Sequence, residues 1–294
     1  MIIQYCSDLH LEFRENFHHI NHNPIEPIGD TLILAGDIVP FALMEKRLDF
    51  FKYVSDNFAQ TYWIPGNHEY YDADMAERSG AFIEKIRENV SLLNNSTIYS
   101  GDVRLIFSTL WSAVGESNAW RIENNISDFH MICMNGKRFT TEDFNNRHNQ
   151  CLNFLSAELE KEWAGKTVVV THHVPTFQHY PPRYKNSIVN EVFAVELSDM
   201  IESKGPDYWI YGHHHYNISS FKIGATELLT NQLGYVHHHE HGSFDGRTHF
   251  LYNRNLHNPS SRISFLVFGR RQYSNIFSIL PETHPAYPRT GQNI

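Results

Sequence analysis

Apolar residues along this chain fall in short runs, and five of those runs end in a side chain able to hold a metal ion. Ile2 to Cys6 leads into Asp8 and His10, Thr31 to Gly36 into Asp37, and Thr61 to Gly66 into Asn67 and His68. Further on, Thr167 to Thr171 leads into His172 and His173, and Asp207 to Gly212 into His213, His214 and His215. Runs of this length, rich in β-branched and aromatic residues and closed by Gly or Pro, predict buried strands. Between them, Leu43, Met44, Leu48, Phe51 and Val54 recur near a helical period within 41–58. Residues 141–163, with a break near Arg147, and 190–203 are further predicted helices. Strands alternating with helices predict an α/β architecture, in which ligands gather where strand carboxyl ends share a crevice. Ser91-Leu92-Leu93, Thr97-Ile98-Tyr99 and Val103 to Phe107, with a Ser-Gly-Asp turn, predict a hairpin and therefore a mixed sheet. The polar, aromatic-spotted stretch 115–138 predicts a cap or loop over the site. A shift in composition near Gly242 separates a main domain, 1–240, from a C-terminal extension, 241–294, with apolar patches at Phe265-Leu266-Val267 and Ile276-Phe277.

Composition narrows the classes. No apolar run approaches the ~18 residues of a membrane helix, and the first residues lack the basic segment of a secretory signal. Three widely spaced cysteines, Cys6, Cys133 and Cys151, argue against a disulfide framework or a thiolate metal site. A cytoplasmic location is the resulting expectation. With 24 basic against 33 acidic residues the net charge is −9, which disfavours a nucleic-acid surface, including the Arg270-Arg271 pair as a signal for one. The 20 histidines cluster. His18, His19 and His22 are read as a solvated loop after the first strand. His237-His238-His239-Glu240-His241 is read as a solvated loop or as a rim element near the substrate.

Two residues apart on an extended chain, Asp8 and His10 would point the same way and chelate one ion. Asp37, after Gly36, carries two oxygens and can bridge ions ~3.5–4 Å apart. Asn67 adds an amide oxygen, and His172, His213 and His215 add imidazole nitrogens. This mixed donor set suits Mn, Fe, Zn, Co or Ni rather than an all-oxygen calcium site. Two divalent ions would outweigh Asp8 and Asp37, leaving a locally positive site despite the overall charge. A metal-bound water loses its proton near pH 7 and can attack phosphorus, while His68 could protonate the leaving group and Glu69 could hold His68 or a ligand. Singly, each Asp or Asn is better read as turn chemistry after a strand, and Cys6 as a small buried residue. Arg183 and Tyr184 are equally placed for a phosphate contact or a structural role. His173 and His214 read as neighbours of ligands. The ordered set outweighs the single readings.

Asp8-x-His10, Gly36-Asp37, Gly66-Asn67-His68-Glu69, Thr171-His172-His173 and Gly212-His213-x-His215 together resemble the calcineurin-like metallophosphoesterase superfamily, in the same order. Gly66-Asn67-His68-Glu69-Tyr70-Tyr71, Thr109-Leu110-Trp111, Ser127-Asp128-Phe129 and Asn231-x-x-Gly234-Tyr235 resemble an uncharacterised bacterial and phage branch of it. The resemblance spans roughly residues 1–240. It implies a sandwich of two mixed sheets flanked by helices. It also implies one metal on Asp8, His10, Asp37 and His215 and a second on Asp37, Asn67, His172 and His213, with His68 as catalytic acid and Asn67 and His68 contacting substrate. The family usually has a small or hydroxyl residue where His214 stands, which leaves the register among His213, His214 and His215 open. The expected protein is a binuclear phosphoesterase, with manganese first among the metals, acting on a small phosphomonoester or phosphodiester or on a phosphoprotein. A nuclease of the same superfamily and a non-catalytic scaffold of the same fold are the alternatives.

Overall fold

The computed structural model describes residues 1–184 and 187–251, without the Arg183 side chain. The extension patches Phe265-Leu266-Val267 and Ile276-Phe277, the Arg270-Arg271 pair and the expected Arg183 contact lie outside the described residues.

Two six-stranded mixed sheets stack face to face. The first has β15 (His249–Leu251), β1 (Ile2–Cys6), β2 (Thr31–Ala35), β3 (Gln60–Ile64), β6 (Val90–Asn94) and β5 (Phe82–Arg87) in that spatial order. The second has β13 (Phe221–Ile223), β14 (Thr226–Leu229), β12 (Tyr208–Ile210), β11 (Lys166–Val170), β8 (Val103–Phe107) and β7 (Ser96–Ser100). A three-stranded patch joins β4 (Ala73–Asp74), β9 (Ile132–Met134) and β10 (Lys137–Arg138). The central strands β1, β2, β3 and β6, and likewise β14, β12, β11 and β8, run parallel, while the edges are antiparallel.

The period of two in each strand divides the core. Ile3, Tyr5, Ile33, Ala35, Tyr62 and Ile64 meet Leu105, Phe107, Val168, Val170 and Ile210 between the sheets. The alternate residues Leu32, Leu34, Trp63, Val169 and Trp209 face the helical layers instead. Strands buried on both faces have no polar side to display, so they read as unbroken apolar runs. The mixed two-sheet sandwich flanked by helices agrees with the sequence reading.

Several local expectations change. The predicted hairpin is β7–β8, but residues 91–93 belong to the other sheet, and the chain crosses over at Asn95 with φ 43°. Residues 41–57 begin as a 3₁₀ segment before the α-helix α2 (Leu48–Asn57). Helix α3 (Thr141–Glu160) runs without a break at Arg147, started by a capping box in which Thr140 and Asp143 satisfy each other's backbone N–H. The predicted helix over 190–203 is two short ones, Asn190–Phe193 and Ser198–Lys204. His18, His19 and His22 are not in a loop: they lie on α1 (Arg14–His22), which buries Asn16 and Ile20. Strand β15 lies beyond residue 240 and pairs antiparallel with β1. Among the described residues no helix is long and apolar enough to cross a membrane.

Candidate metal centre

The five ligand-bearing strand ends converge because β1, β2 and β3 are neighbours in one sheet and β11 and β12 in the other. Beyond Cys6 the chain stays paired with the continuation of β2: the N–H groups of Asp8, His10 and Leu11 donate to the carbonyls of Gly36, Asp37 and Ile38, each at 2.9 Å. It is not extended there. Asp8 (φ 56°), His10 (φ 45°), Asp37 (φ 54°), His213 (φ 81°) and His215 (φ 48°) are all left-handed. The extended geometry expected for Asp8 and His10 is therefore replaced by a tighter path that still turns both side chains inward. For residues with a Cβ this conformation costs about 1–3 kcal/mol each and survives only where surrounding bonds over-determine it.

Thr109 ties the sheets together at this point. Its hydroxyl donates to the carbonyl of Pro65 at 2.8 Å, and its own carbonyl accepts the N–H of His172 at 3.1 Å. Close approach is written into the glycines as well. A Cβ on Gly36, itself at φ 91°, would lie 2.3 Å from His172 Nδ1, and one on Gly66 would lie 2.2 Å from Asp37 Oδ1.

Inside this frame Asp8, His10, Asp37 and His215 bring one donor atom each within 4.8 Å of one another, and Asp37, His172 and His213 do the same. Asp37 belongs to both groups. Its Oδ2 lies 3.7 Å from His10 Nε2 and 3.3 Å from His172 Nε2, while Oδ1 accepts the His68 backbone N–H at 2.9 Å. Asp8 Oδ1 lies 3.4 Å from His215 Nε2.

The imidazole tautomers decide what these pockets can hold. His10 Nδ1 faces Glu12 Oε1 at 3.0 Å and His215 Nδ1 faces Glu240 Oε2 at 2.8 Å. His172 Nδ1 faces the Ala35 carbonyl at 2.9 Å, and His213 Nε2 the Val192 carbonyl at 3.1 Å. Carbonyls and carboxylates only accept, so each outward nitrogen carries a proton. The inward nitrogens are left with lone pairs facing one another, His10 Nε2 to His215 Nε2 at 2.9 Å and His172 Nε2 to His213 Nδ1 at 3.1 Å. Lone pairs at such distances, flanked by carboxylate oxygens, repel unless protons or cations lie between them. Burial works against a charged imidazole, yet Asp37 outweighs it and raises His172 to about 9, and Asp8 with Glu240 raises His215 to about 10. Protons and metal ions compete for the same positions.

The amide of Asn67 meets the same requirement. Its Nδ2 donates to Asp128 Oδ1 at 2.8 Å, and Tyr71 OH donates to the same oxygen at 2.7 Å. Asp128 thereby fixes which end of the amide points outward, and among the described residues the buried Oδ1 has no hydrogen-bond partner. An orphaned buried oxygen is costly in any protein, and on the residue after Gly66, where an added Cβ would meet Asp37 and His172, it fits a cation ligand. The residues present thus suit two cations.

His214 turns away from the centre. Its Nδ1 lies beside the Gln232 side chain, whose Oε1 also accepts the His215 N–H at 2.7 Å. The geometry therefore selects His213 and His215 for the inward register. His173 is fully buried, with its ring 4.2 Å from that of His213 and its Nε2 without a hydrogen-bond partner among the described residues. Among the described residues no hydrogen bond joins Glu69 to the His68 ring. Its carboxylate accepts the N–H groups of Asp37 (2.9 Å), Ile38 (2.7 Å) and Gly66 (2.6 Å) and the Trp63 indole (3.1 Å), which clamps two ligand loops together. Burial and then Asp37 push Glu69 up to about 8, against the pull of those donors.

Three acidic residues at the site lacked any specific assignment from sequence: Glu12, Asp128 and Glu240. Glu240 sits inside the histidine-rich run 237–241, which forms two 3₁₀ turns rather than a plain solvated loop. The signal that would find all three is the demand that every buried imidazole or amide N–H has an acceptor.

The calcineurin-like phosphoesterase family model matches residues 1–217. Over 264 residues the chain is 32% identical to uncharacterized protein L509 of Acanthamoeba polyphaga mimivirus, covering 80% of this chain and 92% of that protein. Its fold is similar to phosphopantetheinyl hydrolase from Mycobacterium tuberculosis, with TM-score 0.62 and 15% identity over 90% of this chain and 98% of that one. A dimetal phosphatase from Danio rerio matches with TM-score 0.44 and 13% identity, over 79% of this chain and 87% of that one. With its family match covering most of its length, this chain belongs to the calcineurin-like phosphoesterase family.

Proposed function

We propose that the protein is a binuclear metal-dependent phosphoesterase acting on a small phosphomonoester or phosphodiester. The observation that carries this reading is Asp37 Oδ2, which lies between His10 Nε2 and His172 Nε2 with imidazole lone pairs on either side. One cation would be held by Asp8, His10, Asp37 and His215, and the other by Asp37, Asn67, His172 and His213. Manganese fits these nitrogen and oxygen donors, as do iron, zinc, cobalt and nickel. When bound, such ions polarise phosphoryl oxygens and acidify water.

The chain's own part in the reaction centres on His68. Its ring stacks on Tyr71 at 4.1 Å, its Nδ1 faces Glu12 Oε1 at 2.9 Å, and its Nε2 lies 3.4 Å from Tyr235 OH. Burial opposes its charged form, but Asp37 and Glu12 outweigh burial and raise its pKa. A raised pKa favours the protonated ring, from which a proton can pass to a leaving oxygen. Asn67 and His68 stand together at one strand end and would both meet the substrate. The net charge of −9 supports a small ester over a nucleic acid.

The test is a metal count joined to turnover. Purified in manganese, the protein should hold two ions per chain and hydrolyse a generic phosphomonoester or phosphodiester, with single-stranded DNA left intact. A chain that binds no metal and turns over neither ester would defeat the reading, and cleavage of the DNA would favour the nuclease.

A second measurement isolates His68. His68→Ala should slow alkyl phosphates by about 100- to 10,000-fold, the range of general acid–base catalysis, and nitrophenyl phosphates far less, since a nitrophenolate leaves without a proton. Equal slowing of both series would count against proton donation.

A further inference from the structure

We propose that Glu12 is a positioning residue that couples the metal ligand His10 to the proton donor His68, an inference that rests on the reading of the site given above. Glu12 follows His10 by two residues, and a turn in which Phe13 N–H donates to the His10 carbonyl at 3.1 Å brings the chain back under the His10 ring. The Glu12 side chain is 3% exposed. A single oxygen, Oε1, faces both His10 Nδ1 at 3.0 Å and His68 Nδ1 at 2.9 Å. The two rings meet edge to face at 4.4 Å.

A carboxylate oxygen has two lone pairs, so it can accept one N–H from each imidazole. The consequence is the same for both rings: Nδ1 carries a proton and Nε2 is directed elsewhere. For His10 that sends the Nε2 lone pair into the group formed with Asp8, Asp37 and His215. For His68 it leaves Nε2, beside Tyr235 OH, as the atom that gives up a proton. Among the described residues the second oxygen, Oε2, is buried and has no hydrogen-bond partner. The carboxylate is therefore tethered through the two histidines, and a movement of either ring is transmitted to the other. Occupancy of the metal position and orientation of the proton donor then become one property.

The experiment uses the full chain with ¹⁵N-labelled histidine, metal-free, in long-range proton–nitrogen spectra at mildly alkaline pH. The wild type should show His10 and His68 both protonated at Nδ1, and Glu12→Ala should lose that restriction at both rings. Manganese affinity, measured by calorimetry, should fall about 10- to 100-fold, the usual effect of losing a ligand's hydrogen-bond partner. At saturating manganese, kcat for an alkyl phosphate should fall further than kcat for a nitrophenyl phosphate. Glu12→Gln keeps an acceptor oxygen, should recover part of both losses, and carries the test if the alanine variant does not fold. A wild-type spectrum with His68 protonated at Nε2 alone would overturn the proposal. So would substitutions that leave manganese affinity and leaving-group dependence unchanged. Because the spectra need neither metal nor substrate, they judge Glu12 even for a chain that hydrolyses no phosphate ester.

Discussion

Asp37→Asn should empty both metal positions at once and abolish turnover while leaving the protein folded. In the wild type Oδ2 faces His10 Nε2 and His172 Nε2, and Oδ1 accepts the His68 N–H. Asparagine can keep that Oδ1 bond and present its amide N–H₂ to the two inward lone pairs, so the metal-free site gains donors where it had a buried carboxylate. In the metal-free protein the ionised Asp37 carboxylate is held beside the His172 imidazole, whose pKa it raises, so the substitution removes a buried pair and the metal-free variant should unfold somewhat below the wild-type temperature near neutral pH. Metal binding falls for a separate reason, because the shared negative charge and the bridging oxygen are both gone. Losing a mere neighbour of a ligand costs about 10- to 100-fold, so losing a charged ligand common to two ions should cost turnover on the order of 1,000-fold or more. Calorimetric manganese titration beside thermal unfolding separates the two effects. Two ions retained with near-normal turnover would remove Asp37 from the bridging role.

The convergence of the candidate metal ligands was legible because each follows an apolar run that could only be a buried strand, and parallel strands bring their carboxyl ends together. What lay beyond reach was the backbone at those ends. Nothing in Asp8-Leu9-His10 announces left-handed φ at both polar residues, since the conformation is imposed by pairing with Gly36, Asp37 and Ile38 of the next strand. The carboxylates behind the ligands were hidden for a related reason. Glu240 is 25 residues from His215 and Asp128 is 61 from Asn67, so their roles exist only once the chain has folded. Glu12 was local, yet its reach depends on the turn after His10 rather than on spacing. The histidines of α1 were misread because the helix is mostly polar and its two buried residues, Asn16 and Ile20, give too little periodicity to betray it. In α3 the reverse held: Arg147 suggested a break, but a capped start and a buried face of Phe144, His148, Cys151 and Leu155 carry the helix through it.

Gly66→Ala should cost the site more than its size suggests. The backbone there does not need a positive φ, so alanine brings no conformational strain of its own. Its methyl group would instead lie 2.2 Å from Asp37 Oδ1 and 2.6 Å from His172 Nε2. Asp37 is 1% exposed and His172 fully buried, and Glu69 clamps the Gly66 N–H at 2.6 Å, so neither side can withdraw into solvent. Overpacking of this kind costs about 1–3 kcal/mol, which for a domain of this size lowers Tm by several degrees. The same displacement pushes the shared carboxylate and a ligand imidazole out of register, so affinity at the position held by Asp37, Asn67, His172 and His213 should fall before that at the other. Gly80→Ala provides the contrast: φ is +75°, so the backbone is strained, but among the described residues no atom lies within 4 Å of the added carbon. It should lower Tm while leaving manganese stoichiometry at two. If Gly66→Ala also bound two ions with unchanged affinity, the crowding that makes glycine necessary before Asn67 would have no bearing on the metal centre.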